Sequence, residues 1–95
     1  MPHAPKITLT GTLTCATAAD AAIVLQYLPE HIRLSRAEPG CLSFTAVQTA
    51  NPLVWQIDET FIDRPAFQAH QTRTRASAWY AASQHIPRAF TFTET

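Results

Sequence analysis

A handful of side chains in this 95-residue chain have the types and spacing for acid–base chemistry on a small organic molecule. His70 follows Phe67 by three residues, which puts both on one face of a helix. An imidazole at the mouth of an apolar cleft can exchange protons near neutral pH. The plainer reading is a half-buried histidine bonded to a backbone carbonyl. Glu59 falls between Ile57 and Phe61 in an alternating run, on the side that should be apolar. A carboxylate there is costly unless it is paired or hydrogen-bonded. It therefore meets Arg73, Arg75 or His70, or it twists outward at the end of a sheet. A Glu–His pair would fix one tautomer and raise the basicity of the imidazole. Arg73 and Arg75 could hold an oxyanion; surface positions at a helix junction are the alternative, favoured for Arg75. Trp79 and Tyr80 could cover a flat substrate or fill a core. His31, after Pro29 and Glu30, lines the opposite wall of such a cleft or sits at or near the surface.

Other chemistries lack their residues. The four histidines and two cysteines are scattered, with no His-x-x-x-His pair and no Cys/His cluster, so no metal is expected. Gly11 and Gly40 are the only glycines, which leaves no phosphate-binding loop and no nucleotide or flavin signature. No Gly-x-Ser-x-Gly elbow is present. No cofactor is expected. Seven Lys and Arg balance seven Asp and Glu, and no basic stripe exists to neutralise phosphates, so nucleic acid is not an expected partner. Ala21 to Leu25 is far too short an apolar run to cross a membrane. The segment from Met1 to Lys6 has no apolar core of a secretory signal. Cys15 and Cys41 form no disulfide framework. A reduced, cytoplasmic protein is the expectation.

The elements that must position these groups can be read from periodicity. Residues 1–5, with two prolines, read as a loose tail ahead of one domain. From Ile7 to Cys15, apolar residues alternate with Thr8, Thr10, Thr12 and Thr14, the pattern of a strand. Thr17 or Asp20 can cap the helix that follows. Its stripe is Ala21, Leu25, Leu28 and Ile32. Pro29 should kink that helix or restart it, the second piece ending near Ala37. Pro39 and Gly40 stop it, Gly40 having access to positive φ. A second strand spans about 41–48, with Leu42 and Phe44 on one face. After the turn at 49–52 a third spans about 53–61, carrying Trp55, Ile57, Glu59 and Phe61 on one side. Asp63 is an N-cap and Pro65 fits the first turn of a helix. That helical region should break near Thr72–Thr74, Thr74 or Ser77 capping its second part, and Pro87 ends it. Phe90 and Phe92 alternate with Thr91 and Thr93 in a fourth strand. The order is β-α-β-β-α-β, an α+β ferredoxin-like pattern with an antiparallel sheet. One sheet face is apolar. The other is rich in threonine, with Val47 and Val54 among Thr8, Thr10, Thr12, Thr45, Thr60 and Thr91.

The stretches Glu38-Pro39-Gly40-Cys41-Leu42-Ser43-Phe44 and Trp55 to Phe61, leading through Asp63-Arg64-Pro65 to Phe67-Gln68-Ala69-His70, resemble the antibiotic biosynthesis monooxygenase (ABM), or quinol-monooxygenase-like, family. The resemblance covers nearly the whole chain. It implies a dimeric α+β barrel, a homodimer formed by sheet-to-sheet pairing across the threonine-rich face. Its members include cofactor-free oxygenases of phenols and quinols, haem-degrading enzymes and small-molecule isomerases. The Phe-x-x-His ending is common among them and implies His70 as the base. It further implies Arg73 as oxyanion partner and a substrate wall of Phe44, Trp55, Phe67 and Trp79. Beside these, the residues themselves offer Glu59 as the partner of His70 or an alternative base, and His31 as the opposite wall. The implied reaction is oxidation of a small aromatic phenol or quinol by O₂ without cofactor. An isomerase or tautomerase of a small carbonyl compound, or a small-ligand-binding dimer, is the alternative. Haem-degrading members place an asparagine on the first strand, which here offers only threonines in polar positions. That disfavours haem chemistry, and it weakens the oxygenase reading too, since some phenol oxygenases use the same asparagine.

Overall fold

The structure, a computed structural model, describes residues 5–95. The expected tail therefore lies almost entirely outside the described residues. Seven elements follow in the order β1 (Ile7–Thr14), α1 (Ala18–Arg36), β2 (Cys41–Gln48), β3 (Val54–Phe61), α2 (Arg64–Arg75), α3 (Ala78–Ser83) and β4 (Arg88–Glu94). The four strands form one sheet in the order β2-β3-β1-β4, every neighbouring pair antiparallel. This is the ferredoxin-like βαββαβ arrangement.

Local chemistry explains the boundaries. Thr17 caps α1 by accepting from the Asp20 backbone N–H, and Asp63 caps α2 by accepting from that of Ala66. Pro65 occupies the first turn of α2, where its missing N–H costs nothing. Ser77 caps α3 through the Tyr80 N–H. The break between α2 and α3 comes at Ala76 and Ser77, later than expected, because Thr72 and Thr74 remain helical. The Thr72 hydroxyl donates back to the Gln68 carbonyl, which lets it stay in the helix.

Four local expectations are corrected. Helix α1 does not restart at Pro29, which lies inside one unbroken span. Both Pro29 and Leu25, whose carbonyl loses its partner, are on the exposed side, where water can take over the bond. The buried row of α1 is Val24, Leu28, His31 and Ser35; Leu25 is 61% exposed. The stripe is thus rotated from the apolar one by two polar residues that face inward. Gly40 does not take positive φ. It is required for space, since a Cβ there would lie 2.2 Å from the Ala66 Cβ. Leu42 does not share the buried face of Phe44. The β2–β3 register shifts between Cys41 and Ser43, so Leu42 is the extra residue of a bulge and points outward.

The helices cover one face of the sheet. The core beneath them has two parts. The larger is built on Leu13, Val24, Leu28, Phe44, Trp55 and Trp79. The smaller holds Ile7, Leu9 and Phe61, with Phe67 and Phe90 against it. On the other face Thr10, Thr45, Val47 and Thr91 are exposed, and Thr10 donates to Asp58 and accepts from Gln56.

Candidate active site

A cavity of about 350 Å³ opens where the two parts of the core meet. Leu9, Phe44 and Ile57 from the sheet, Leu28 from α1, and Phe67 and Trp79 from the later helices give it apolar walls. Its polar groups are His31, Glu59, His70, Gln71, Thr74 and Tyr80, with Arg75 and Arg88.

His70 occupies the seam. The helical spacing from Phe67 turns both side chains toward β3, and the His70 ring packs 4.8 Å from the Phe61 ring and 5.9 Å from Phe44. Its Nδ1 is 2.7 Å from Glu38 Oε1. The other Glu38 oxygen accepts from Arg73 Nε at 2.8 Å. A guanidinium only donates, so Glu38 is the acceptor on this side, and Nδ1 carries the proton it shares with Oε1. The Nε2 lone pair then faces Glu59 Oε1 at 3.5 Å and the Thr74 hydroxyl at 3.4 Å. Burial lowers the His70 pKa below its ordinary value, and the bond to Glu38 opposes that shift. The ring is therefore neutral, with its basic nitrogen turned to the cavity.

Glu59 sits on β3 between Leu9 of β1 and Phe44 of β2, which are its register partners. Of the partners considered from sequence, it meets His70 and neither Arg73 nor Arg75. Burial, and then the negative charge of Glu38, push its carboxyl up to about 7. Below about pH 7 a carboxylic acid thus stands beside the imidazole.

Several residues are placed otherwise than expected. Arg73 does not reach the cavity: its Nε is taken by Glu38 and its Nη2 by the Ser35 hydroxyl at 3.0 Å. Trp55 is buried in the larger part of the core and forms no wall of the cavity. Arg75 is exposed, as a surface residue should be, yet it borders the cavity mouth. His31 is buried, 5% exposed, with its ring stacked 5.8 Å from Trp79. Phe44, Phe67, Trp79 and His31 do line the cavity.

Two participants carry no local sequence signal. Glu38 was legible only as part of a helix stop. Arg88, on β4 opposite Leu13, donates from Nη2 to the Ser83 carbonyl at 2.6 Å and lies over the Trp79 ring at 5.5 Å. Among the described residues no group of His, Cys, Asp and Glu could hold a metal ion, and no helix is long and apolar enough to cross a membrane.

The family model for antibiotic biosynthesis monooxygenase (ABM) matches residues 7–82, from the first residue of β1 into α3. The chain belongs to this family. The ABM assignment agrees with similar solved structures. A Bacteroides thetaiotaomicron protein of unknown function, proposed as an oxidoreductase, superposes with a TM-score of 0.82 at 16% identity, covering 96% of this chain and 98% of that one. A Deinococcus radiodurans protein proposed as an antibiotic biosynthesis monooxygenase gives 0.79 at 24% identity over 94% and 91%. SnoaB, a cofactor-independent oxygenase from Streptomyces nogalater, gives 0.78 at 13% identity over 97% and 94%. At these identities the superpositions speak for the ABM fold. No curated protein matches the chain.

Proposed function

We propose that this ABM-family chain is a monooxygenase that oxidises a small phenol or quinol with O₂, its own side chains supplying the acid–base chemistry. The observation that carries the reading is His70, oriented through Nδ1 by Glu38 so that Nε2 faces an aromatic-walled cavity. In this reading Nε2 takes the phenol proton. The electron-rich phenolate carbon gives its electrons to O₂, one oxygen atom becomes a quinone carbonyl, and the other leaves as water. The phenolic hydrogen, one ring hydrogen and four electrons balance that step without an external reductant. Arg88 and Arg75 replace Arg73 as the cations near the cavity, suited to charge spread to the far end of the substrate. The apolar walls keep water from the phenolate.

A second reading rests on Glu59. A base beside a buried acid is also suited to a 1,3-proton shift in a small carbonyl compound. The likeness to SnoaB favours the oxygenase.

The partner of this chain is read as a second copy, packed through the threonine-rich face with Val47, which is 61% exposed, near its edge. The test of function is oxygen uptake with a panel of hydroquinones and naphthols and nothing else added. We expect one quinone formed per O₂ consumed. Uptake no faster than without the protein, or uptake that requires added flavin, refutes the oxygenase; isomerisation without uptake supports the second reading.

A further inference from the structure

We propose that His31 is the oxyanion partner of this site, a neutral imidazole whose Nε2–H grips the same substrate oxygen that gives its proton to His70. The proposal rests on reading the cavity as the place where a phenol or enol ionises. It assigns a role to a residue that has no hydrogen bond of its own.

The argument begins with an orphan. His31 Nδ1 is fully buried and has no hydrogen-bond partner among the described residues. A buried lone pair without a partner is tolerated more readily than a buried N–H without one. The ring proton therefore belongs on Nε2. That nitrogen is not enclosed in the same way, and the ring borders the cavity. Stacking on Trp79 at an interplanar angle of 22° and edge contact with Phe44 at 5.4 Å hold the ring in place.

The opposite arrangement holds at His70, whose Nδ1–H is committed to Glu38. One imidazole thus offers a donor and the other an acceptor, with ring centres 5.6 Å apart. A hydrogen bond of about 2.8 Å from each Nε2 puts its partner oxygen roughly 4 Å from each ring centre. Two such reaches close on a single oxygen across that separation, meeting at roughly a right angle, which suits the two bonds of a hydroxyl oxygen. In the neutral complex the O–H donates to His70 while the oxygen accepts from His31. On ionisation the proton passes to His70 Nε2, the oxygen keeps the bonding pair, and the His31 bond becomes charge-assisted. Only the second state gains, which is what transition-state stabilisation requires. The donor survives at working pH because burial first, and the positive charges of Arg73 and Arg88 as well, keep His31 neutral, its pKa about 3.

The test has two arms, neither needing turnover. The first is the tautomer of His31 in the free protein at pH 7, read by nitrogen-15 NMR of imidazole-labelled protein. We expect protonation at Nε2; protonation at Nδ1 overturns the proposal. The second uses 4-nitrophenol, whose phenol and phenolate absorb at different wavelengths. Bound to the wild type at pH 7, its phenolate-to-phenol ratio should exceed that in buffer. In His31→Phe, which keeps the ring but loses the donor, the bound ratio should fall ~10–100-fold. His31→Gln, which returns an N–H near the Nε2 position, should restore most of it. An unchanged ratio in folded His31→Phe refutes the role. If His31→Phe does not fold, the tautomer still decides. A protein that passes both arms yet consumes no O₂ with any phenol refutes the oxygenase while supporting His31 as the oxyanion partner.

Discussion

Replacing Glu59 by glutamine should change how stability depends on pH more than it changes stability at any one pH. Glu59 ionises near 4.5 in the unfolded chain but at about 7 in the fold, because burial and then Glu38 disfavour its charge. Between those values the unfolded state has released a proton that the folded state keeps. Its contribution is therefore fully present below pH 4.5 and is lost as pH rises through 7. The interval is ~2.5 pH units wide, and each unit corresponds to about 1.4 kcal/mol, so the loss amounts to about 3 kcal/mol. His31 works in the opposite direction. Its folded pKa is about 3 against an ordinary 6.5, so its contribution is lost as pH falls below 6.5. Across pH 4.5 to 6.5 the two slopes oppose each other, which flattens the wild-type profile. Glu59→Gln keeps the shape and removes the ionisation, exposing the histidine slope. The assay is urea unfolding of both proteins at half-unit steps from pH 4.5 to 7.5. The stability of Glu59→Gln minus that of wild type should rise by about 3 kcal/mol from pH 4.5 to 7. Parallel profiles would refute the claim that Glu59 is a protonated acid beside His70.

Three further outcomes are expected. His70→Ala should lower turnover by ~10²–10⁴-fold with circular dichroism unchanged, and Glu38→Gln, which keeps size but weakens the hold on Nδ1, should lower it by at least about tenfold; full activity in either removes that residue from the mechanism. Gly40→Ala should destabilise the fold by ~1–3 kcal/mol in urea, since its Cβ would lie 2.2 Å from the Ala66 Cβ, and adding Ala66→Gly should return most of the loss; no destabilisation would mean that the turn relaxes freely. Light scattering at micromolar protein should give the mass of two chains, and Val47→Lys should lower it toward one if the threonine-rich face is the contact; a one-chain mass for the wild type counters the dimer.

The strands were legible because their period of two is unusually clean, with threonines on one side and apolar residues on the other. The helix starts were legible because Thr17, Asp63 and Ser77 act within three residues of themselves. The buried face of α1 was not. A rule that looks for apolar residues selects Leu25 and Ile32, while the chain buries His31 and Ser35. Those two face inward because of what lies opposite: Arg73 donates to the Ser35 hydroxyl, and the His31 ring finds Trp79, Phe44 and His70. The site is thus the place where polarity and burial part company, and a pattern built on their agreement misses it by one residue's rotation. Arg73 was misplaced for a related reason. Its helix and spacing put it near His70, but the charge that claims it is Glu38, which lies 35 residues earlier in the chain.

The turn between α1 and β2 joins fold and site. Pro39 and Gly40 follow the end of the helix, and the space left by Gly40 lets Ala66 on the first turn of α2 approach the turn ahead of β2 closely. That approach brings α2 against the turn, and with it His70 and Arg73, one helical turn apart on the same face. Glu38, held just ahead of Pro39, is then the nearest carboxylate to both, accepting at 2.7 Å from His70 and at 2.8 Å from Arg73. The same contact that packs the fold therefore selects the imidazole tautomer. A substitution that pushed α2 away would loosen Glu38 from His70 before it unfolded the sheet, because β1 and β3, at its centre, are paired along their full length without α2. Such a variant should lose activity ahead of stability, and Gly40→Ala is the variant in which to look: a fall in turnover larger than its unfolded fraction explains would place the orientation of His70 in that turn, whereas activity that follows the folded fraction would leave the turn a matter of packing alone.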